Sequence, residues 1–284
     1  MMKRILKSLY IAAVKTIEHD GVEHSGYMSF MVLLSIFPFL IFFVALTSFF
    51  GASELGDNFI KLLMENLPER AVDSMKMRIN ELGRTPPQSL MTLAIVGTVW
   101  TASSFLECLR TILNRVHEIT SPPPYIRRRL LSIFQFLVIT IMLGFTMLIL
   151  IIIPIGLNKI PAITEAIAGY ERILNVSRYL LILSCLFLGV SSLYYVIPNA
   201  KLNYKDIVPG AILTVLLWII SGHLLSEYII YYNQLSVVYG SLGSVILTLL
   251  FFYIINMIFI YGAEFNHALM MISKNDNTVL AIEG

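Results

Sequence analysis

Charged residues are what this sequence has least of. Asp, Glu, Lys and Arg make up 13% of its 284 residues, roughly half the share of an ordinary soluble protein. A chain so poor in charge does not clothe itself in hydrated surface. Its net charge of +2 also argues against a nucleic-acid partner, because counterion release needs many Lys and Arg clustered along one groove. Cysteine is nearly absent, with only Cys108 and Cys185. Both fall in or beside apolar runs, where a thiol behaves as a small hydrophobe, so neither a disulfide framework nor a metal site is expected.

Catalytic signatures are missing as well. There is no Gly-Lys-Ser/Thr phosphate loop and no Gly-x-Ser-x-Gly nucleophile elbow. His117, His223 and His267 stand far apart in the chain. His19 and His24 have no cysteine pair to complete a zinc site and read as solvated surface residues. The expectation is a protein that is not an enzyme and carries no cofactor and no metal. A cleavable signal peptide is not expected, because Lys3, Arg4, Lys7 and Lys15 interrupt the opening segment and no apolar stretch follows them. The first span then serves as an uncleaved insertion signal.

What the sequence has in excess is apolar surface, with 57% hydrophobic residues and a mean hydropathy of +0.79. These residues fall in separated runs of roughly 18 or more, the length that crosses about 30 Å of hydrocarbon as an α-helix. The reading is an all-α polytopic membrane protein, a bundle of six transmembrane helices with amphipathic interfacial helices. Its spans are expected at residues 28–50, 90–106, 130–157, 179–197, 207–232 and 242–264, within a membrane domain of residues 28–267.

Residues 1–27 form an amphipathic cytoplasmic segment in which Leu6, Leu9, Ala13 and Ile17 share one face and basic residues lie elsewhere, as in a helix resting on an anionic membrane surface. Residues 51–89 form an extracytoplasmic loop with two amphipathic helices, one marked by Leu55, Phe59, Leu62, Leu63 and Leu67, the other by Val72, Met75, Ile79 and Leu82. Such helices either cap the bundle or move as a lid. Residues 268–284 are a short cytoplasmic tail. With the N-terminus inside, about twelve of the 20 Lys and Arg fall on the cytoplasmic side, so both termini are expected in the cytoplasm.

Within the spans, small residues mark close packing. Ala94, Thr98 and Ala102 make one ridge of the second span and Gly97, Thr101 and Ser104 another. Pro38 and Pro154 each remove a helical hydrogen bond inside an apolar run and are hinge candidates. Asp206 is read as the cap of the fifth span, with Pro209 in its first turn.

An ionisable or amide side chain inside a bilayer costs several kcal/mol unless it finds a partner, which makes it a site candidate. His223 and Glu227 lie one turn apart on the fifth span. Tyr253, Asn256 and Glu264 follow one stripe of the sixth, continued by His267, and that stripe must face protein or water. These form the candidate intramembrane polar site: His223, Glu227, Tyr253, Asn256 and Glu264. The plainer readings are an interfacial ion pair for the first two and an interhelical hydrogen bond for Asn256. Glu107 and Arg110 read as a helix-end pair or a cytoplasmic gate. Arg127, Arg128 and Arg129 adjoin the third span, as a topology signal or as contacts to anionic lipid headgroups.

Several segments then taken together carry a resemblance. They are Leu34-Ser35-Ile36-Phe37-Pro38; Trp100-Thr101-Ala102 with Leu113-Asn114-Arg115; Leu193-Tyr194-Tyr195-Val196-Ile197-Pro198-Asn199; Val208-Pro209-Gly210-Ala211 with Trp218; Val238-Tyr239-Gly240-Ser241-Leu242-Gly243; and Gly262-Ala263-Glu264-Phe265-Asn266. In this order and with this hydropathy the chain, from about Tyr27 to His267, resembles the YihY/BrkB family of bacterial inner-membrane proteins. The resemblance implies six spans with cytoplasmic termini, and members associated with serum resistance and with transport of lipids or envelope components. The family's older ribonuclease BN label finds no support in the residues. Ser29-Phe30-Met31 and Phe251-Phe252 depart from the family pattern by small or apolar exchanges, which touch fine packing only.

The expected function is that of a transporter or exporter-like envelope protein acting on a lipid or other amphiphile. Membrane lipids, an unknown substrate and a second copy of the chain are its expected partners. The alternative is a structural or assembly factor that moves nothing, and a membrane-associated nuclease is a third class.

Overall fold

The computed structural model describes residues 2–50, 88–121, 123–158, 171–231 and 242–282. Most of the expected loop of residues 51–89, with its two helices, and the segment 159–170 lie outside them. Among the described residues there are seven α-helices and no strand: α1 (Met2–Glu18), α2 (Gly21–Phe50), α3 (Gln88–Val116), α4 (Tyr125–Asn158), α5 (Glu171–Val196), α6 (Tyr204–Tyr231) and α7 (Leu242–Ile282). Over 179–196, 204–228 and 245–273, three of these helices are long and apolar enough to cross a membrane.

Local chemistry sets the helix ends. Helix α1 stops where Asp20 takes a positive φ of 58°, a left-handed conformation that Asp tolerates better than most residues. The same Asp20 starts α2, because its carbonyl accepts the His24 N–H at 3.0 Å. Gly21 is required in this tight reversal, since a Cβ there would stand 2.5 Å from the Thr16 carbonyl oxygen. Helix α3 ends in a Schellman motif built on Glu118, whose φ is 55°. The Ile119 N–H reaches the Asn114 carbonyl and the Glu118 N–H the Arg115 carbonyl, both at 2.9 Å. The prolines from residue 122 then prevent the helix from resuming.

Helix α6 begins a few residues earlier than the sequence suggests. Asn203, not Asp206, precedes its first turn; the Asn203 carbonyl accepts the Asp206 N–H at 3.0 Å, and Asp206 lies in that turn, where its charge suits the helix dipole. Helix α7 has 41 residues, about 62 Å of helix, and runs on through most of the stretch read as a tail. Helices α2 and α4 continue through the hinge candidates Pro38 and Pro154, whose side chains lie outside the described residues.

The chain forms two compact units. Residues 1–33, 104–129 and 173–284 make the first, and residues 34–103 and 130–172 the second. In the second unit the polar side chains of Thr98, Ser103, Ser132 and Gln135 are buried. The Thr101 hydroxyl there turns back to the Gly97 carbonyl at 2.9 Å, so it is satisfied within its own helix. The first unit is organised around α7, which packs against α6 and against α1.

Candidate functional site

The α6 and α7 backbones meet at a pair of glycines. A Cβ on Gly210 would collide with the Gly262 carbonyl oxygen and lie 2.5 Å from Asn266, while one on Gly262 would collide with the Thr214 hydroxyl and lie 2.6 Å from the Tyr194 hydroxyl. Around this contact, side chains tie backbone to backbone. Asn266 accepts the Gly210 N–H at 2.6 Å and donates to the Ile207 carbonyl at 2.9 Å, straddling the first turns of α6 that Pro209 disturbs. Tyr194 of α5 donates to the Phe259 carbonyl at 2.6 Å. That bond uses the single phenolic proton, so the Thr214 hydroxyl, 2.7 Å away, is the donor to Tyr194. Two turns on, the Trp218 indole N–H reaches the Ile255 carbonyl at 2.9 Å. The stripe Gly210, Thr214, Trp218 is therefore the face of α6 that meets α7.

Helix α1 lies on another side of α7. Its buried stripe is Ser8, Ala12 and Thr16, small residues four apart that allow a close approach. Tyr261 of α7 donates to the Leu9 carbonyl at 3.2 Å. Leu6, Tyr10, Ala13 and Ile17 are left exposed. Of the apolar face seen in the sequence, Leu6, Ala13 and Ile17 are thus turned away from the protein, while Leu9 is half-buried.

The turn between α1 and α2 is held from two directions. His19, expected as a solvated residue, is mostly buried, and its Nδ1 lies 2.6 Å from Oε1 of Glu264. From α3, Arg115 donates to the His19 carbonyl at 3.1 Å and pairs with the Asp20 carboxylate. Next to Arg115, Asn114 exchanges two hydrogen bonds with Asn199, at 3.1 Å from its Nδ2 and 2.8 Å from the Asn199 N–H. His117 packs edge-on against His267 with ring centroids 5.5 Å apart. Burial, with some help from His267, pushes the His117 pKa down to about 4.

Of the expected site residues, the structure places Asn256 and Glu264 inside, Tyr253 half-buried, and His223 and Glu227 on the surface. His223 and Glu227 lie on the side of α6 opposite its α7-facing stripe, so they do not join the α7 residues. Asn256 Nδ2 and Glu264 Oε2 are buried with no hydrogen-bond partner among the described residues. The Arg127–Arg129 run divides. Arg127 is exposed, Arg128 pairs with Glu107 at 3.2 Å, and Arg129 donates to the Ser104 hydroxyl at 3.0 Å. Arg110, also paired with Glu107 at 3.6 Å, is fully buried, and burial lowers its pKa while Glu107 opposes that shift. Burial likewise raises the Cys108 thiol to about 12, which leaves it an inert packing group.

Beside these arginines an open cleft of about 350 Å³ is lined by Thr111, Asn114, Arg115, Glu118 and Arg128 among others. No group of three or more His, Cys, Asp or Glu among the described residues is placed to hold a metal. Sequence reading did not anticipate His19, Asp20, Arg115, Asn114, Asn199, Tyr194, Thr214 or Asn266 as site residues. The signal was present in the segments that carry the family resemblance, because Asn114-Arg115, Tyr194, Asn199, Gly210, Gly262, Glu264 and Asn266 all take part in these contacts.

Long apolar helices, three of them fit by length and hydropathy to cross a membrane, with Asn266, Tyr194 and Trp218 fastening one helix to another, define a multi-helix membrane protein. The family described as virulence factor BrkB matches residues 12–279, and the chain belongs to that family. It is 28% identical over 252 residues to a protein named ribonuclease-like, YfkH of Bacillus subtilis, covering 87% of this chain and 90% of that one. It is 22% identical to a UPF0761 membrane protein of Pseudoalteromonas atlantica, over 89% of this chain and 82% of the relative. A UPF0761 membrane protein of Vibrio campbellii is 23% identical over 90% and 80% of the two chains. No solved structure matches the chain.

Proposed function

We propose that this protein is a six-span transporter-like protein of the bacterial inner membrane, with both termini in the cytoplasm, that handles a lipid or another amphiphile and catalyses no reaction. One observation carries the reading. On α7 a buried amide donor, Asn256 Nδ2, and a buried carboxylate acceptor, Glu264 Oε2, have no partner among the described residues. Leaving such groups unpaired costs about 1–3 kcal/mol each, more for a charge, and a ligand that satisfies both recovers that cost. The two residues are eight apart, about 12 Å along the helix, and bracket a stretch that an amphiphile's polar end reaches while its tail stays in lipid.

The proposed orientation is supported by what the described polar contacts bring together. The α1–α2 turn, the end of α3, the α5–α6 connection and the polar part of α7 belong to one cluster, the arrangement expected when 1–27, 107–129 and 198–206 share one side. His223 and Glu227 play no part in this site. Arg127 is the residue of its triplet best placed to meet an anionic headgroup.

The rigid clasps at Gly210, Tyr194 and Asn266 favour a second reading, a static scaffold that organises other membrane proteins. Reconstitution separates the two. Purified protein in vesicles carrying a fluorescent envelope lipid should speed the lipid's passage between leaflets, and Asn256→Leu should reduce that rate. Passage no faster than in protein-free vesicles, for any envelope lipid class, would sink the transport reading in favour of the scaffold.

A further inference from the structure

We infer that His19 and Glu264 form a proton port, in which the His19 imidazole passes protons between water and the buried carboxylate of Glu264. The Glu264 side chain is 1% exposed and the His19 side chain 15%. Nδ1 of His19 faces Oε1 at 2.6 Å, so the remaining exposure of the ring leaves Nε2 within reach of water. A histidine in that position connects solvent to a buried carboxylate.

The step balances without a further reactant. A water-borne proton binds Nε2, the Nδ1 proton moves to Oε1, and the ring ends neutral in its other tautomer while the carboxylate becomes a carboxylic acid. One proton enters and one negative charge inside the protein is cancelled. Release runs the same path backwards. In either state a hydrogen bond joins the two groups, with Nδ1–H donating to the carboxylate or the acid O–H donating to Nδ1, so the contact survives while its charge changes.

The setting suits a port. Lys15 and Glu18 of α1 pair with each other at 2.8 Å, and Lys15 and Glu118 act electrostatically on Glu264 from the rim. Asp20 is taken up by Arg115, and the His24 Nδ1 by the Asp20 carbonyl at 2.8 Å. Tyr261 of α7 is committed to Leu9. His19 thus both touches Glu264 and meets solvent. Such a port takes protons whether or not the protein moves an amphiphile, so its test needs no transport assay.

Infrared difference spectra of the full chain in lipid, recorded between two pH values, test it. The expected result is a carboxylic-acid carbonyl band that grows as pH falls and is missing in Glu264→Gln. Deuteration of that band should slow on the order of a hundredfold in His19→Gln, which keeps a hydrogen-bond donor but does not relay, and added imidazole should restore the rate in His19→Ala. A wild-type spectrum identical to that of Glu264→Gln, or deuteration as fast in His19→Gln as in wild type, would overturn the port.

Discussion

Gly210 of α6 and Gly262 of α7 face each other with no room for a side chain on either, and the hydroxyls of Tyr194 and Thr214 fill the space at their edge. In a bilayer, where lipid tails are as apolar as leucine, this closeness is what allows van der Waals contact and backbone-directed hydrogen bonds to hold helices together. It explains why Gly262 and Asn266 share the face of α7 that meets α6.

Two substitutions at this contact should behave differently. Gly262→Ala drives its methyl into the Thr214 hydroxyl, so it should lower the denaturation midpoint by the equivalent of about 1–3 kcal/mol, and Thr214→Ala should recover part of that loss. Gly210→Ala meets the Gly262 backbone oxygen, which has nowhere to go, so no side-chain change should rescue it. Thermal unfolding in detergent of the single and double variants measures both; strict additivity for Gly262→Ala with Thr214→Ala would contradict the packing.

His117 sets a pH dependence. Its pKa, held down at about 4, lies below its ordinary value of about 6.5, so between those values the unfolded chain binds a proton that the folded chain refuses. Stability from this residue is therefore fully present above about pH 6.5, falls as pH drops through the window, and levels off below about pH 4, a change of at most about 3 kcal/mol. In His117→Gln the midpoint should vary less with pH over that window than in wild type. Equal slopes in the two proteins would show that His117 is not held neutral by burial.

The turn at Asp20 separates conformation from charge. Asp20→Gly gives up the exposed pairing with Arg115, about 0–1 kcal/mol, but gains a residue at ease at a φ of 58°. Asp20→Val loses the same pair and forces a β-branched residue into that conformation, at a cost of roughly 1–3 kcal/mol. Midpoints close to wild type for Gly and clearly lower for Val are expected; the reverse order would show that the ion pair, not the backbone, governs the turn.

What the sequence made legible was set by length and periodicity. Apolar runs long enough for hydrocarbon are helical in the structure because no water is available to the backbone otherwise. Asn256 and Glu264 of that stripe are buried in the first unit, where α7 packs against α6 and α1. The role of His19 was not legible, since its partner lies 245 residues away and nothing local distinguishes it from a solvated histidine. His223 and Glu227 misled for the opposite reason. Their four-residue spacing is a local signal, but Gly210, Thr214 and Trp218 choose the face of α6 that packs, and the other two residues lie across from it. In α1 the conspicuous pattern, Leu6 to Ile17, marks the outer face, while the inconspicuous Ser8, Ala12 and Thr16 make the contact.

The two unpartnered polar atoms of α7, Asn256 Nδ2 and Glu264 Oε2, are the centre of the proposed binding site. Thermal unfolding of the detergent-solubilised protein against a panel of envelope lipids differing in headgroup tests this directly, because a ligand that binds the folded state alone, at about a hundred times its Kd, adds about 2.7 kcal/mol of stability. One headgroup class should raise the midpoint of the wild-type protein and leave that of Asn256→Leu unchanged. Equal shifts in both proteins, or none with any headgroup, would contradict it.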